Sequence, residues 1–303
     1  MMSAVGRFAP SPTGPLHLGS LAAAVGSWLY ARAAGGRWLV RIEDIDTPRV
    51  VSGAAEEILS TLVRYGLEWD GEVVWQSQRT ALYEHALDTL RAQHRVFDCA
   101  CSRADLQRAA SAPVGIEPRY PGTCRDGLPS GKAARAIRFR ATPEVIAFDD
   151  AFAGRVEDTA DDFVVRRADG LFAYQLAVVV DDAAQGVTQV VRGADLLSST
   201  ARQIALQRAL GYATPSYAHL PLVTNPDGTK LSKRDAALPL PTLDAPRIRE
   251  TLALALRHLG ILVAPAEPRT MLAAALEETT KGLRRAGAAG GAKGLASTHV
   301  RLP

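Results

Sequence analysis

Short apolar runs alternate with amphipathic stretches in the first part of the chain. The runs AVGRFA and RWLVRIED predict two strands, and apolar residues at helical spacing predict helices at 17–34, 53–66 and 78–94. Gly35 and Gly36 supply a stop for the first of these helices. Because strands that alternate with helices build parallel sheets with crossover helices, this order predicts an α/β fold.

The rhythm breaks at residues 95–165, where prolines, glycines, cysteines and short strands predict an insertion. Further elements are predicted beyond it: strands at 171–180, 187–192 and 218–224, and a helix at 195–210. The pattern is typical of one nucleotide-binding domain whose two halves, 1–94 and 166–237, are separated by the insertion.

After Arg234 the composition changes to helix rich in Leu and Ala. A short helical region is predicted at 238–280, with helices at 246–260 and near 268–279. Residues 281–303 are dominated by Gly, Ala and basic side chains, which bury too little apolar surface to fold alone. A flexible basic tail is therefore expected there, and contact with RNA phosphates is the alternative.

The composition is that of a globular protein with a core, since 47% of the 303 residues are hydrophobic. No apolar run reaches the length that spans a membrane, and the N-terminus lacks the pattern of a signal peptide, so a cytoplasmic protein is expected. The three cysteines cannot all pair with one another, which favours ligation of a metal over a disulfide framework.

The net charge of +3 is too small to indicate a nucleic-acid-binding protein by itself. Basic residues nevertheless cluster in the middle of the chain, at Arg119, Arg125, Lys132, Arg135, Arg138 and Arg140. This cluster is either a surface that contacts phosphates or a solvated basic face.

The segment RFAPSPTGPLHLGS joins the first predicted strand to the first predicted helix. Unpaired backbone N–H groups and the positive end of the helix dipole meet at such a junction, and phosphate binds there readily. Gly14 and Gly19 allow a ligand to approach the backbone closely, and His17 can donate to a phosphate oxygen. Taken alone, a histidine near the start of a helix is more often structural.

A second candidate phosphate loop, NPDGTKLSKRDAA, carries Lys230 and Lys233 on either side of Ser232. On its own it is also compatible with a solvated run of charge. Together, HLGS and KLSKR resemble the two signature sequences of class I aminoacyl-tRNA synthetases. RFAPSPTGPLHLG with RIEDID is similar to the glutamyl-tRNA synthetase family in particular, and the likeness runs from about Gly6 to Ala237.

The resemblance implies a Rossmann-like catalytic domain that activates L-glutamate with ATP and Mg²⁺. It implies catalytic roles for His17, Lys230 and Lys233. It implies that ATP binds at Pro10, Gly14, His17, Gly19, Ser20 and Lys233. It assigns glutamate to Arg7, Ala9, Ser11, Glu43, Tyr174 and Arg192.

The chemistry of these residues agrees with that assignment. Glu43 can pair with the α-ammonium group of glutamate, and an arginine can hold the side-chain carboxylate with two parallel hydrogen bonds. Each residue also has a structural interpretation. Tyr174 can belong to the core, and Arg7 and Arg192 can neutralise nearby carboxylates, namely Asp44, Asp46 or Asp195.

The insertion contains Cys99 and Cys101 in CACS, and Tyr120 and Cys124 in RYPGTC. Structural zinc takes four ligands, so three thiolates leave one position for Tyr120, His94, Asp98 or water. Three reduced thiols without a metal are the competing interpretation. The motif resembles the zinc site of a truncated branch of the family, which implies Tyr120 as the fourth ligand and one Zn²⁺ per chain.

Sixty-nine residues, 235–303, follow Arg234, too few for the anticodon-binding domain of an ordinary glutamyl-tRNA synthetase. The truncated branch activates glutamate without tRNA and transfers it to queuosine, so the expected partner of this chain, as a monomer, is the anticodon loop of tRNA(Asp). The alternatives are a short enzyme that charges the 3′ end of tRNA(Glu), a non-catalytic tRNA-binding relative, and a nucleotidyltransferase for a small molecule.

Overall fold

Ten strands lie in the part of the chain that the computed structural model describes, which is residues 3–102, 104–106, 119–223, 240 and 244–288. In chain order they are β1 (Val5–Phe8), β2 (Arg37–Ile42), β3 (Val74–Trp75), β4 (Val96–Cys99), β5 (Ala136–Phe139), β6 (Val145–Asp150), β7 (Gly154–Thr159), β8 (Phe163–Arg166), β9 (Gln189–Gly193) and β10 (Ser216–Leu220).

Seven of these strands form the main sheet, in the order β3-β2-β1-β9-β10-β6-β7. Neighbours in this sheet run parallel, except for the antiparallel hairpin of β6 and β7. The other three strands form a separate antiparallel sheet in the order β4-β5-β8. The first strand of the chain therefore lies inside the main sheet, between an early strand and a late one.

The α-helices that accompany the sheets include α1 (Leu18–Ala33), α2 (Ala54–Arg64), α3 (Thr80–Ala92), α4 (Tyr174–Ala184), α5 (Thr200–Leu210), α6 (Ala245–His258) and α7 (Pro268–Ala288). Helix α1 packs on β1 and β9 and also contacts α6 and α7. None of the described helices has the length and hydrophobicity needed to cross a bilayer.

Strand β2 shows how the sequence divides between the two faces of the main sheet. Trp38, Val40 and Ile42 join an apolar cluster that includes residues of α1, α2, α6 and α7. Leu39 joins a second cluster, built with α3, α4 and α5. Successive strand residues face opposite sides, so a strand that is covered on both faces reads as a continuous apolar run. Because both faces of the sheet are covered, ligands can bind only at the ends of the strands.

The structure confirms the α/β class with a parallel central sheet and corrects individual elements. The strand predicted at 171–180 is wrong, since Tyr174–Ala184 is a helix whose Leu176, Val178 and Val179 are all buried. A short apolar run does not distinguish a buried strand from a buried helix. The α-helix predicted from 195 begins at Thr200, after a 3₁₀ helix over Ala194–Ser199.

Two predicted segments differ in extent from the observed elements. Strands β6 and β7 fall within the 95–165 stretch predicted as an insertion, but they belong to the main sheet, where Asp150 aligns with Tyr217 of β10. Helix α7 continues to Ala288, into the stretch 281–303 predicted as a flexible tail. Residues 289–303 lie outside the described part of the chain.

Two consecutive glycines end α1 for different reasons. Gly35 has a φ of +65°, and the N–H groups of Gly35 and Gly36 bond to the carbonyls of Arg32 and Ala31, as in a Schellman motif. A Cβ at Gly36 would overlap the carbonyl oxygen of Ala4. That same oxygen accepts the N–H of Arg37 at 2.9 Å, where β2 begins beside β1.

Candidate functional site

His17 is the N-cap residue of α1, and its Nδ1 accepts the backbone N–H of Ser20 at 3.3 Å. A neutral imidazole that accepts at Nδ1 carries its proton on Nε2, which is then a donor. A cleft of about 560 Å³ opens at this helix end. It is lined by the residues predicted for ATP that the structure describes: Pro10, Gly14, His17, Gly19 and Ser20. Lys230 and Lys233 lie outside the described residues.

A second cleft of about 490 Å³ adjoins the first, and the two share Phe8, Ser11 and Gly193 as lining residues. All six residues predicted for glutamate line it: Arg7, Ala9, Ser11, Glu43, Tyr174 and Arg192. The structure therefore brings together residues from both halves of the predicted domain, beside the loop that carries His17.

Three neighbouring strands place the charged groups of the second cleft. Arg7 belongs to β1, Arg192 to β9, and Glu43 directly follows β2. Because β2, β1 and β9 are adjacent and parallel, their carboxyl ends meet at one edge of the sheet. Tyr174 is the first residue of α4 and closes the cleft from that side.

Buried ion pairs form the floor of this cleft. Asp182 accepts Arg7 Nε at 3.2 Å and Arg41 Nη1 at 2.8 Å, while Arg41 Nη2 reaches Glu43 at 3.3 Å. Burial acts to raise the pKa of Asp182, but the charges of Arg7 and Arg41 outweigh it and lower that pKa. Burial prevails at Glu43 and raises its pKa despite the two arginines. The two arginines therefore offset only part of the effect of burial on the Glu43 carboxylate.

Asp181, the neighbour of Asp182, lies 3.8 Å from Arg41 Nε and has further contacts of its own. It accepts Gln76 at 2.8 Å, Arg79 at 2.5 Å and the hydroxyl of Tyr83 at 2.7 Å. Burial, followed by the charge of Asp181, raises the pKa of Tyr83 far above its ordinary value. The two consecutive carboxylates thus join α4 to the strands on one side and to α3 on the other.

Arg192 is held by neutral groups. It donates to Nε2 of His219 at 3.0 Å, to Gln203 at 2.8 Å and to Thr200 at 2.9 Å. The hydroxyl of Tyr174 lies 3.5 Å from Arg192. These neighbours come from β10, α5 and α4, so the guanidinium is fixed from three elements.

The sequence analysis did not identify Arg41, Asp150, Asp182 or His219, although all four belong to the buried polar surroundings of the cleft. A signal was present at two of them. Arg41 interrupts the apolar run of β2, and Asp182 belongs to the Asp pair, 181 and 182, that ends the apolar run of α4. Charged residues are seldom buried unless they are paired, so a charge in or beside an apolar run indicates a polar network.

A candidate metal centre lies at the end of β4. The sulfurs of Cys99, Cys101 and Cys124 all fall within 4.8 Å of one another. Cys101 and Cys124 are 3.7 Å apart, close to the spacing of about 3.8 Å that a tetrahedral ion with Zn–S bonds of about 2.3 Å imposes. The hydroxyl oxygen of Tyr120 is 3.6 Å from the Cys99 sulfur. The donors therefore fit a metal ion that prefers sulfur.

Groups around these thiols also suit a negatively charged centre. Arg138 donates from Nε to the Cys99 sulfur at 3.3 Å and lies 4.0 Å above the Tyr120 ring. Burial, and then the neighbouring Cys124, raise the pKa of the Cys101 thiol to about 11. A bound cation would offset this rise, because it stabilises the thiolate. The metal-ligand cluster of described residues includes neither His94 nor Asp98.

Several residues of the central basic cluster are engaged within the protein. Arg125 pairs with Asp162, Arg138 contacts Cys99, and Arg140 lies over the ring of Phe97. Arg135 and Lys132 are exposed. The cluster therefore has two parts. Arg138 and Arg140 pack beside the metal centre, whereas Arg135 and Lys132 are exposed to solvent.

Comparison with known proteins relates this geometry to a family. The family model for the catalytic domain of class I tRNA synthetases (E and Q) matches residues 3–269. The glutamyl-Q tRNA(Asp) synthetase of Aromatoleum aromaticum is 57% identical over 281 residues, which cover 91% of this chain and 86% of that protein. The glutamyl-Q tRNA(Asp) synthetase of Geobacter sulfurreducens is 58% identical over 264 residues, covering 84% of each chain.

A solved structure shares the fold. The glutamate tRNA ligase of Elizabethkingia meningosepticum, crystallised in complex with its amino acid, superposes with a TM-score of 0.68 and 30% identity. The match covers 78% of this chain and 53% of the ligase, so this chain spans about half the length of that protein.

Proposed function

The chain belongs to the class I tRNA synthetases of the glutamate and glutamine type, and we propose that it is an ATP-dependent ligase which activates L-glutamate and transfers it to queuosine in tRNA(Asp). One observation carries this proposal. Arg7, Glu43 and Arg192 line a cleft that is continuous with the cleft at His17 and the start of α1. An acidic amino acid and a nucleotide would thus lie side by side.

The first step joins these two ligands. An oxygen of the α-carboxylate of glutamate attacks the α-phosphorus of ATP. A new P–O bond forms, and the bond between the α-phosphorus and pyrophosphate breaks. The transferring group carries negative charge throughout, so positioned donors matter more than proton transfer. The Nε2–H of His17 and the backbone N–H groups at the start of α1 supply such donors, and Mg²⁺ would bind through the phosphates of ATP.

Lys233, with Lys230, is proposed to stabilise the charge that develops on pyrophosphate. Both residues lie outside the described part of the chain, and their roles rest on the KLSKR sequence. Substitution of Lys233 by alanine should raise the activation free energy by about 3 kcal/mol, as for loss of one preorganised donor. Single-turnover formation of the adenylate measures this effect.

Recognition of glutamate is proposed to divide between two charged residues. Glu43 pairs with the α-ammonium group, whose positive charge would favour the ionised carboxylate that burial disfavours. Arg192 binds the side-chain carboxylate, with Tyr174 beside it. Arg7 contributes to the same cleft while its Nε remains paired with Asp182.

In the second step a hydroxyl oxygen of queuosine attacks the carbonyl carbon of the adenylate and an ester bond forms. The bond from that carbon to the phosphate oxygen breaks, and AMP leaves as the hydroxyl proton passes to its phosphate or to water. We propose that the anticodon loop of tRNA(Asp) presents this hydroxyl. Cys99, Cys101, Cys124 and Tyr120 would hold one Zn²⁺ in a structural role, since all four positions of a tetrahedral ion are then occupied by the protein. A cytoplasmic location and a monomeric state are proposed from the sequence alone.

Pyrophosphate exchange tests the proposal. Exchange should depend on glutamate and proceed without RNA, and an Arg91→Ala variant, altered at an exposed surface pair, serves as the matched control. Exchange that requires tRNA would contradict the proposal. Labelled glutamate should stay attached to tRNA(Asp) after the 3′ end of the tRNA has been trimmed away. Loss of the label together with the 3′ end would favour a short enzyme that charges tRNA(Glu).

A further inference from the structure

Arg192 differs from Arg7 and Arg41, the other buried arginines at the glutamate cleft, because it has no carboxylate partner among the described residues. Asp182 pairs with both Arg7 and Arg41. Within the described residues, the strong hydrogen bonds of Arg192 go to His219, Gln203 and Thr200, and none of these acceptors is a carboxylate. The cleft therefore contains a guanidinium that forms no ion pair with a carboxylate of the described residues, although only 5% of Arg192 is exposed.

The tautomer of His219 follows from this contact. Arg192 Nε–H can only donate, so Nε2 of His219 accepts and the ring proton lies on Nδ1. Nδ1 then donates to Oδ2 of Asp150 at 2.6 Å. Asp150 is itself fixed by the backbone N–H groups of Phe152 at 3.0 Å and Ala153 at 2.9 Å. The imidazole is thus a spacer that separates the carboxylate from the guanidinium.

The acceptor on the other side of the guanidinium is oriented in the same way. Gln203 donates from Nε2 to the side-chain oxygen of Gln175 at 2.9 Å, which leaves its own oxygen directed at Arg192. Gln175 in turn donates to Ser199 at 3.1 Å. Two of the neutral acceptors that hold Arg192, His219 and Gln203, therefore have their polarity set by a partner farther out.

Burial, with the nearby charge of Arg192, lowers the pKa of His219 even though Asp150 acts to raise it. The ring is accordingly neutral near pH 7. Its plane is held against Tyr217, with 6.1 Å between ring centroids and 14° between the planes. Both the charge state and the orientation of His219 suit an acceptor that fixes an arginine without neutralising it.

We propose that His219 is a positioning residue which, held by Asp150, directs Arg192 into the cleft as a cation without a carboxylate partner, and so makes the site select an acidic side chain over its amide. The inference rests on the proposed function, because it takes glutamate as the ligand of Arg192. A substrate carboxylate supplies the missing charge, whereas the neutral amide of glutamine leaves the buried guanidinium uncompensated.

Two amide variants of His219 separate positioning from bulk. His219→Gln can place an oxygen near the position of Nε2 and so accept from Arg192, whereas His219→Asn is too short to do so. We expect His219→Asn to raise the KM for glutamate about tenfold or more, with kcat and the KM for ATP within about threefold. His219→Gln should stay within about threefold of the wild type for all three constants. Equal loss in both variants would overturn the proposal.

A third variant tests the charge alone. Gln203→Glu is close in size and brings a carboxylate to Arg192, while His219 is unchanged. It should weaken glutamate binding by about tenfold or more and narrow the preference for glutamate over glutamine. Glutamate bound as tightly as by the wild type would refute the need for an unpaired cation.

Calorimetric titration with glutamate and with glutamine, without ATP, provides a readout that does not depend on catalysis. Absence of pyrophosphate exchange in the wild type would reject the proposed function. The effects of the three substitutions on amino-acid binding would still decide the role of His219, because the titration compares each variant with the wild type directly. Unaltered selectivity in His219→Asn and Gln203→Glu would contradict that role.

Discussion

Arg41 on β2 donates to Asp182 on α4 over 2.8 Å, and no more than 9% of either side chain is exposed. Arg7 on the adjacent strand reaches the same carboxylate oxygen at 3.2 Å. One carboxylate therefore holds two strands against a helix beneath the glutamate cleft. Charges at this depth depend on each other, because a single unpaired member would be left without water to solvate it.

Asp182→Asn should lower the free energy of unfolding at pH 7 by about 3–5 kcal/mol, since an amide cannot neutralise either guanidinium. Urea denaturation measures the change. Asp88→Asn is the matched control, because Asp88 forms an exposed ion pair with Arg91 and should cost less than about 1 kcal/mol.

The same variant should report the pKa of Asp182, which lies below its ordinary value. A lowered pKa in the folded state gives stability that is fully present above the unfolded value of about 4 and is lost as the pH falls further. The difference between wild type and Asp182→Asn should therefore be constant from about pH 7 to pH 5 and shrink below about pH 4. A difference that grows on acidification would contradict this assignment.

The sequence predicts the parts of the site whose residues are contiguous, and it does not predict contacts between residues that are far apart along the chain. The loop around His17 is recognisable because its glycines, prolines and histidine are contiguous, and their joint meaning needs no partner from elsewhere. Asp182 and Arg7 are 175 positions apart, and Asp150 and His219 are 69 apart. Neither pair carries a local signal of contact, so only the fold identifies them.

The error at α4 has a related cause. Its Val178, Val179 and Val180 are all buried, and β-branched residues in an apolar run favour a strand when only local propensity is considered. Burial on both sides of a helix removes the amphipathic pattern that distinguishes the two structures. Packing against α3 and α5 overrides the local preference of these residues.

Substitutions of His17 should separate its structural role from its chemical role. His17→Asn retains an oxygen that can cap Ser20 and should leave the free energy of unfolding within about 0.5 kcal/mol, whereas His17→Ala should lose about 1 kcal/mol. Both variants should lose pyrophosphate exchange by about 10²- to 10³-fold, because neither retains the Nε2 donor. Normal exchange by His17→Asn would show that the ring only caps the helix.

The two glycines after α1 should respond differently to alanine. Gly35→Ala places a side chain at a φ of +65° in open space and should cost about 1–2 kcal/mol. Gly36→Ala forces the Ala4 backbone to move, and should cost about 3 kcal/mol, at the upper end for overpacking. Urea denaturation of the two variants measures the loss of unfolding free energy in each. A larger loss in Gly35→Ala than in Gly36→Ala would contradict the prediction.

Metal content should follow the donor set at the end of β4. Wild-type protein prepared without chelators should contain one zinc per chain, and Cys124→Ser should contain much less. Tyr120→Phe keeps the ring beneath Arg138 and removes the oxygen, so its zinc affinity should fall about tenfold or more. Competition with a chromophoric chelator measures both, and Tyr212→Phe, in a different apolar cluster, is the control. Full affinity in Tyr120→Phe would leave the fourth position to another ligand.

The place of β1 between β2 and β9 has a consequence for biosynthesis. Residues 5–42 leave the ribosome long before their remaining sheet partners, and one edge of β1 stays unpaired until residues 189–193 have been made. Long-range strand pairing slows folding, and exposed edges of this kind attract chaperones or lead to aggregation. We expect truncated nascent chains that end before β9 to remain protease-sensitive, and the binding cleft to be completed only when the late strands dock.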